Sequence, residues 1–322
     1  MPRYEVPTTL RSLAIRFREP SPAVINGELI IFAGDGGLEA HRHADGSFVW
    51  KTALPPRTLG NVSEWRQVFS LAARGDALYA AGSFFPNWMG GEYEPTSSRL
   101  EVRTGQLEWD LWAGPSPLAT ASIARPSVVI DSSNQPVFGG FYRAGTDSTR
   151  GLTEQGAARW SSNSGPVGLA AAIGDRVFHS HQGWFDALGV MHPVPRFQNI
   201  SFPQPLVTSA GVVIIGVSSP RIELMSEASG WQRVPLLDFV HWPPRATQPR
   251  VSAAGAVSFA LGGNTNSGPA LYDFAPDGRL LAACTFRVSP NESVDTSQPV
   301  VELVGQVVLV DNGRKVVWAF QR

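Results

Sequence analysis

Gly75-Asp76-Ala77-Leu78-Tyr79-Ala80-Ala81-Gly82, followed at 104–109 by Thr-Gly-Gln-Leu-Glu-Trp, is the stretch on which the reading of this chain turns. A Gly-Asp pair supplies the backbone freedom for a tight reversal, and the apolar run behind it has the character of a strand. The pattern of apolar strand, Gly- or Asn-containing turn and second apolar strand recurs at seven places. The turns are Asn26-Gly27, Arg74-Gly75-Asp76, Ser133-Asn134, Gly174-Asp175, Ala210-Gly211, Ala254-Gly255 and Gly305-Gln306. Runs such as Leu29-Ile30-Ile31-Phe32, Val212-Val213-Ile214-Ile215 and Val307-Val308-Leu309-Val310 follow them. One small sheet cannot bury both of its faces alone, so self-similarity at roughly 40 to 50 residues per unit points to a propeller or solenoid array.

A second landmark fixes the register. A Gly turn is followed shortly by an aromatic in Asp45-Gly46…Trp50, Thr104-Gly105…Trp109, Gln155-Gly156…Trp160 and, shortened, Ser229-Gly230-Trp231; Pro276-Asp277-Gly278 marks the same turn without the Trp. With the first set of turns joining strands one and two of each blade, blades fall near 20–56, 69–112, 125–163, 168–200, 203–236 and 249–288. The remaining piece at 297–322 carries three strands, and its free edge needs cover. The N-terminal stretch at about 4–17, including Leu10 to Phe17, is expected to supply the fourth strand. The expectation is an all-β, seven-bladed β-propeller of four-stranded antiparallel blades, a single domain over 1–322 closed by pairing the N- and C-terminal strands. Trp50, Trp109 and Trp160 are expected to be largely buried between neighbouring blades.

Composition agrees with this reading. Hydrophobic residues make up 43%, and charged residues at 16% fall below the roughly 25% of an average soluble domain. Gly at 32 and Pro at 26 supply the turns that many short strands need. Net charge is −1 with scattered basic residues, which argues against nucleic acid as a partner. Only Lys51 and Lys315 of the basic residues are lysines. The single cysteine, Cys284, excludes an internal disulfide and reads as a buried structural thiol in the run Leu280 to Cys284. No stretch of 18 apolar residues exists, and the start Met1 to Glu5 lacks a signal-peptide core, so membrane insertion is not expected. A cytoplasmic address is slightly favoured over a mature exported form.

The Asp/Thr-Gly-x-x-x-Trp landmarks, joined to the strands at 75–82 and 26–34, resemble the repeats of the quinoprotein-like propeller superfamily. Gly75 to Trp109 is also similar to bacterial propeller repeats reading Gly-Asp-x-x-Tyr-x-x-Gly-x-Phe. The resemblance covers about four units and implies a scaffold rather than an activity. Quinoprotein dehydrogenases of that superfamily hold their cofactor with a vicinal cysteine pair and a calcium site on a larger, eight-bladed body. One cysteine and a short chain argue against that chemistry, and no cofactor is expected.

Recognition in propellers usually sits on the face formed by loops between strands two and three and between blades. The longest such loop is read as Gly82 to Ser98, with Phe84, Phe85, Trp88, Met89 and Tyr93; interblade segments add Trp65, His241, Trp242 and Arg245. Exposed aromatics offer large contact area at small entropic cost and mark recognition surfaces; the opposing reading folds them inward as a plug. Two His-x-His pairs, His41/His43 and His179/His181, place both rings on one strand face. They fall in separate blades and cannot share an ion, so no metal is expected; His181 is kept as a binding candidate. Acid–base candidates near the recognition face are Asp35, Asp147, Asp175, Asp238, Glu292 and Asp295, and no catalytic residue can be named. Two function classes follow. The first is a non-catalytic binding or scaffold protein that recognises a protein or other macromolecule through its aromatic loops. The alternative is an enzyme, a lyase, cyclase or hydrolase, acting on a small molecule at the mouth of the central channel.

Overall fold

A computed structural model of the chain describes residues 3–5, 23–34, 37–59, 62–64, 66–84, 94–112, 126–140, 149–162, 169–179, 183–194, 201–218, 221–238, 249–252, 255–261, 270–285, 301–303, 306–311 and 316–321. These form an all-β structure with one 3-10 turn, Glu227–Ser229. Among the described residues no helix is long and apolar enough to cross a membrane.

Six sheets are each built from four strands consecutive in the chain. Numbered after β1 (Arg3–Glu5), sheet 1 holds β2 (Ala23–Asn26), β3 (Leu29–Gly34), β4 (Gly37–Arg42) and β5 (Phe48–Ala53). A small hairpin, β6 (Arg57–Leu59) and β7 (Val62–Glu64), interrupts the path to sheet 2. Sheet 2 holds β8 (Arg66–Arg74), β9 (Ala77–Phe84), β10 (Glu94–Glu101) and β11 (Leu107–Trp112). Sheet 3 holds β12 (Ser127–Ile130), β13 (Pro136–Gly139), β14 (Thr149–Leu152) and β15 (Ala158–Ser162). Sheet 4 holds β16 (Leu169–Ile173), β17 (Arg176–His179), β18 (Gly183–Phe185) and β19 (Met191–Pro193). Sheet 5 holds β20 (Ser201–Thr208), β21 (Gly211–Ser218), β22 (Arg221–Ser226) and β23 (Arg233–Asp238), and sheet 6 holds β24 (Arg250–Val251), β25 (Val257–Leu261), β26 (Ala270–Phe274) and β27 (Leu280–Thr285).

A further four-stranded sheet joins the chain ends: β28 (Val301–Leu303), β29 (Gln306–Asp311) and β30 (Val316–Gln321), with β1 on the far side of β30. Arg3, Tyr4 and Glu5 pair with Trp318, Val317 and Val316. The N-terminal strand that makes this pairing is thus Arg3–Glu5, while Leu10 to Phe17, expected in that role, lie outside the described residues.

The chain divides into two compact units, one of Ile15–His179 with Gly183–Pro193, the other of Met1–Ala14, Ser180–Gln182 and Val194–Arg322. In the unit holding sheets 1 to 4, first strands neighbour first strands: β2 lies by β8, β8 by β12 and β12 by β16. Each pair of facing sheets encloses an apolar layer. Trp50, Leu78, Leu100 and Val102 fill the layer between sheets 1 and 2; Tyr79, Val128, Phe138 and Leu152 fill the next; Val137, Val177 and Phe185 fill the third. In the other unit Val213, Leu224, Val257, Phe259 and Phe274 pack together, with the Phe259 and Phe274 rings stacked at 5.6 Å.

The second landmark is a docking device. In four sheets the ladder between the third and fourth strands shifts register beside the Gly turn, a bulge that re-aims the fourth strand. The fourth-strand side chain then lies against the same turn of the following sheet. Trp50 sits over Gly105, Trp109 over Gly156, Trp160 over Gly189 and Val234 over Gly278. Two of these tryptophans also donate a hydrogen bond there, Trp50 Nε1 to the Val102 carbonyl at 2.7 Å and Trp109 Nε1 to the Glu154 carbonyl at 2.6 Å. Burial follows the expectation only in part: Trp50 is 7% exposed, whereas Trp109 and Trp160 are half-buried.

Candidate functional site

A four-stranded meander has two unlike ends. Turns between strands one and two, and three and four, lie at one; connections between strands two and three, and between sheets, lie at the other. In sheet 2 the loop end is where β8 begins, β9 stops at Phe84, β10 starts at Glu94 and β11 finishes. The connection predicted as Gly82 to Ser98 is therefore shorter, spanning 85–93, because both of its stems continue as strands: Ser83 pairs with Pro95 and Phe84 with Glu94. The polar run Thr96-Ser97-Ser98 within the expected loop is a buried strand.

One of those hydroxyls, Ser98 Oγ, is engaged by a buried cation. The Arg66 side chain is 1% exposed, and its Nη1 and Nη2 reach Asp110 Oδ1 and Oδ2, both at 2.6 Å. Nη1 also donates to Ser98 Oγ and Nη2 to the Pro55 carbonyl, each at 3.0 Å. Ser98 Oγ donates to Asp110 Oδ1 at 2.7 Å, and the guanidinium lies 5.3 Å from the Phe84 ring centre. Both terminal nitrogens of the buried guanidinium are thus engaged, on a carboxylate that is itself partly exposed, and this bidentate geometry offsets the cost of burying the charge. It ties the exit of sheet 1 to three strands of sheet 2 directly beneath the 85–93 connection.

Of the nine binding residues expected from sequence, Phe84 alone is described. It is a strand residue, 5% exposed under Arg66, and corrects the expectation of a loop aromatic open to solvent. Trp65, Phe85, Trp88, Tyr93, His181, His241, Trp242 and Arg245 lie outside the described residues. The histidine pairs separate. His41 in β4 is held by the Gly46 carbonyl at 3.0 Å and Glu39 at 3.1 Å, while His43 falls in the turn beyond the strand rather than within it. His179 ends β17, buried against Phe185 at 5.1 Å between ring centres. No three His, Cys, Asp or Glu side chains among the described residues are grouped to hold a metal.

Two acid–base candidates are described, and one of them is displaced from the loop face. Asp175 lies in the β16–β17 turn, at the end opposite the loops. Asp238 ends β23 exposed, in an ion pair with Arg221 at 2.6 Å. Asp35, Asp147, Glu292 and Asp295 lie outside the described residues, as does the side chain of Cys284. Asp186, unremarked in the sequence, is a carboxyl held below its ordinary range: His192 Nε2 meets it at 3.0 Å, and the backbone N–H groups of Val190 and Leu188 donate to it. His192 in turn stacks on Trp184 at 4.1 Å.

Arg66 and Asp110 are 44 positions apart, and nothing local marks them as partners. The available signal was the polar β10 sequence itself. Eight residues over 94–101 with five hydroxyl-bearing or charged members before Leu100 can enter a sheet only if another group satisfies them.

No protein-family model matches the chain, and no curated protein matches its sequence. Solved structures share the fold. The quinohemoprotein alcohol dehydrogenase of Comamonas testosteroni aligns over 98% of this chain and 69% of its own at a TM-score of 0.52 and 11% identity. The major Malassezia sympodialis allergen Mala s 1 aligns over 86% and 90% at a TM-score of 0.50 and 10% identity. At such identities the likeness is one of fold alone, that of a β-propeller.

Proposed function

We propose that the chain is a non-catalytic propeller, a single domain of seven blades over 1–322 closed through β1 and β30, that recognises a macromolecular partner with the aromatic connections at its loop ends. The observation that carries this reading is the Arg66–Asp110 clasp. It fixes both stems of the 85–93 connection, so Phe85, Trp88 and Tyr93 are presented from a rigid base. Binding loops held on a rigid scaffold lose less entropy on association, and amphipathic aromatics dominate the energy of such surfaces. Trp65, His181, His241, Trp242 and Arg245, on other connections of the chain, are kept as further candidate partner-binding residues. The two aligned structures differ in what their names describe, an allergen and a dehydrogenase, so a shared fold sets no activity.

The test is the triple change Phe85→Ser, Trp88→Ser and Tyr93→Ser. It is expected to leave the melting temperature within a degree or so while weakening a purified, stoichiometric partner at least about a hundredfold, as loss of hot-spot aromatics does. A fall in melting temperature with unaltered affinity shows instead that these rings fill the interior, and removes the recognition reading.

A further inference from the structure

The hairpin that opens sheet 1 turns on the pair Asn26-Gly27. Asn26 closes the β2–β3 ladder against Leu29, leaving Gly27 and Glu28 as an exposed turn. Gly27 has a φ of +56°, and a Cβ built on it would meet nothing within 4 Å. Its N–H makes no hydrogen bond among the described residues. The Asn26 amide reaches out of its own sheet: Nδ2 donates to the carbonyl of Gly75, in the matching turn of sheet 2, at 2.6 Å. A side chain at the surface thus ties together the first turns of neighbouring sheets.

In an asparagine followed by glycine the next backbone nitrogen attacks the side-chain amide most readily, because no Cβ stands beside that nitrogen and the glycine backbone rotates freely. Here the attacking N–H is unpinned and the space around Gly27 is open to water. The hydrogen bond that holds the amide is exposed, where local opening costs least. Asn134, the other asparagine among the described residues, also sits in a turn, but it precedes Gln135, whose side chain shields the nitrogen.

We propose that Asn26 is a site of spontaneous deamidation, and that its conversion releases the first turn of sheet 1 from that of sheet 2. The Gly27 nitrogen bonds to Asn26 Cγ and gives its proton to water; the Cγ–Nδ2 bond breaks, and Nδ2 takes up a proton and leaves as ammonia. Water then opens the cyclic imide at either carbonyl, giving aspartate or isoaspartate, with no oxidant or reductant involved. Both products replace the Nδ2 donor by a carboxylate facing the Gly75 carbonyl, so a hydrogen bond between the turns becomes a meeting of acceptors. Isoaspartate also adds an extra carbon to the main chain at the end of the ladder, displacing the Asn26–Leu29 pair. The site is separate from the aromatic connection and does not depend on that reading.

The test incubates the full chain at physiological temperature and mildly alkaline pH, then digests it with trypsin. Residues 19–42 leave as a peptide that contains Asn26 but no other asparagine or glutamine, so an amide-to-acid mass change reports this residue. That peptide is expected to convert progressively into aspartate and isoaspartate forms, while the peptide carrying Asn134 keeps its mass. The melting temperature should fall with the converted fraction, and Asn26→Asp should start lowered before any incubation. Gly27→Ala strains the turn but crowds the attacking nitrogen, so it is expected to slow conversion at least about tenfold, whereas a looser turn by itself would speed it. The synthetic peptide 19–42, free in solution, sets the time within which conversion must show. A protein left unchanged while the free peptide converts, conversion at constant melting temperature, or Gly27→Ala converting as fast as the parent would each overturn the proposal.

Discussion

At the scale of single residues, the structure rests on side chains that reach across to the next sheet. Trp50 combines a large apolar area with one directed hydrogen bond, so its loss has two separable parts. Trp50→Ala is expected to cost about 3–5 kcal/mol in denaturant unfolding. Trp50→Phe keeps much of the contact but strands the Val102 carbonyl, at about 1–3 kcal/mol. The ring also dictates its neighbour: a Cβ on Gly105 would stand 2.5 Å from Trp50, and Gly105 has a φ of +71°. Gly27 has a similar φ of +56° with nothing within 4 Å. A Cβ on Gly105 also meets Thr52 Oγ1 at 2.6 Å, so Gly105→Ala should destabilise clearly more than Gly27→Ala, the difference reporting the Trp50 and Thr52 contacts; equal losses would show that backbone strain accounts for both.

Asp186 carries the acid sensitivity of sheet 4. Its carboxyl is held down first by the His192 contact and then by the Val190 and Leu188 N–H groups, so the folded state favours the ionised form. For a depressed carboxylate the stabilisation is present above the unfolded value of about 3.9 and is lost as pH falls through the lower folded value. Asp186→Asn should thus reduce the melting temperature near neutral pH, with the gap to the parent protein closing below about pH 4. A gap constant from neutral to acid pH would show that Asp186 acts without its charge.

At the scale of elements, the telling strand is the shortest terminal one. β1 contributes three register pairs to β30 and converts an open edge into a paired one. Deleting residues 1–5 should lower the melting temperature and promote concentration-dependent association through β30, read by light scattering. A truncated protein that melts and scatters like the full chain would remove the closure. The sequence placed the seven intra-sheet turns and nearly every strand around them, because hairpin chemistry resides in two or three consecutive residues. It misjudged β10, because a strand of Thr, Ser, Ser and Arg is stable only through Asp110 and Arg66 on other strands. It also missed the β6–β7 hairpin, whose three-residue strands are too short to show an alternation.

At the scale of the whole molecule, the proposed single domain predicts one cooperative transition in calorimetry, with calorimetric and van't Hoff enthalpies in agreement. Two resolved transitions, one for each compact unit, would divide the chain instead. The sequence by itself determined the all-β class, the four-stranded repeat, the positions of the Gly turns and the tryptophans that follow them. These depend on backbone conformation and on apolar alternation, which are written in neighbouring residues. Only the tertiary structure decided that Phe84 lies buried under Arg66, that Asp175 stands at the turn end, and that Trp109 and Trp160 keep an open side. Each depends on which face of one sheet meets which face of the next. That pairing joins residues tens of positions apart, through hydrogen bonds and packing that no local pattern encodes.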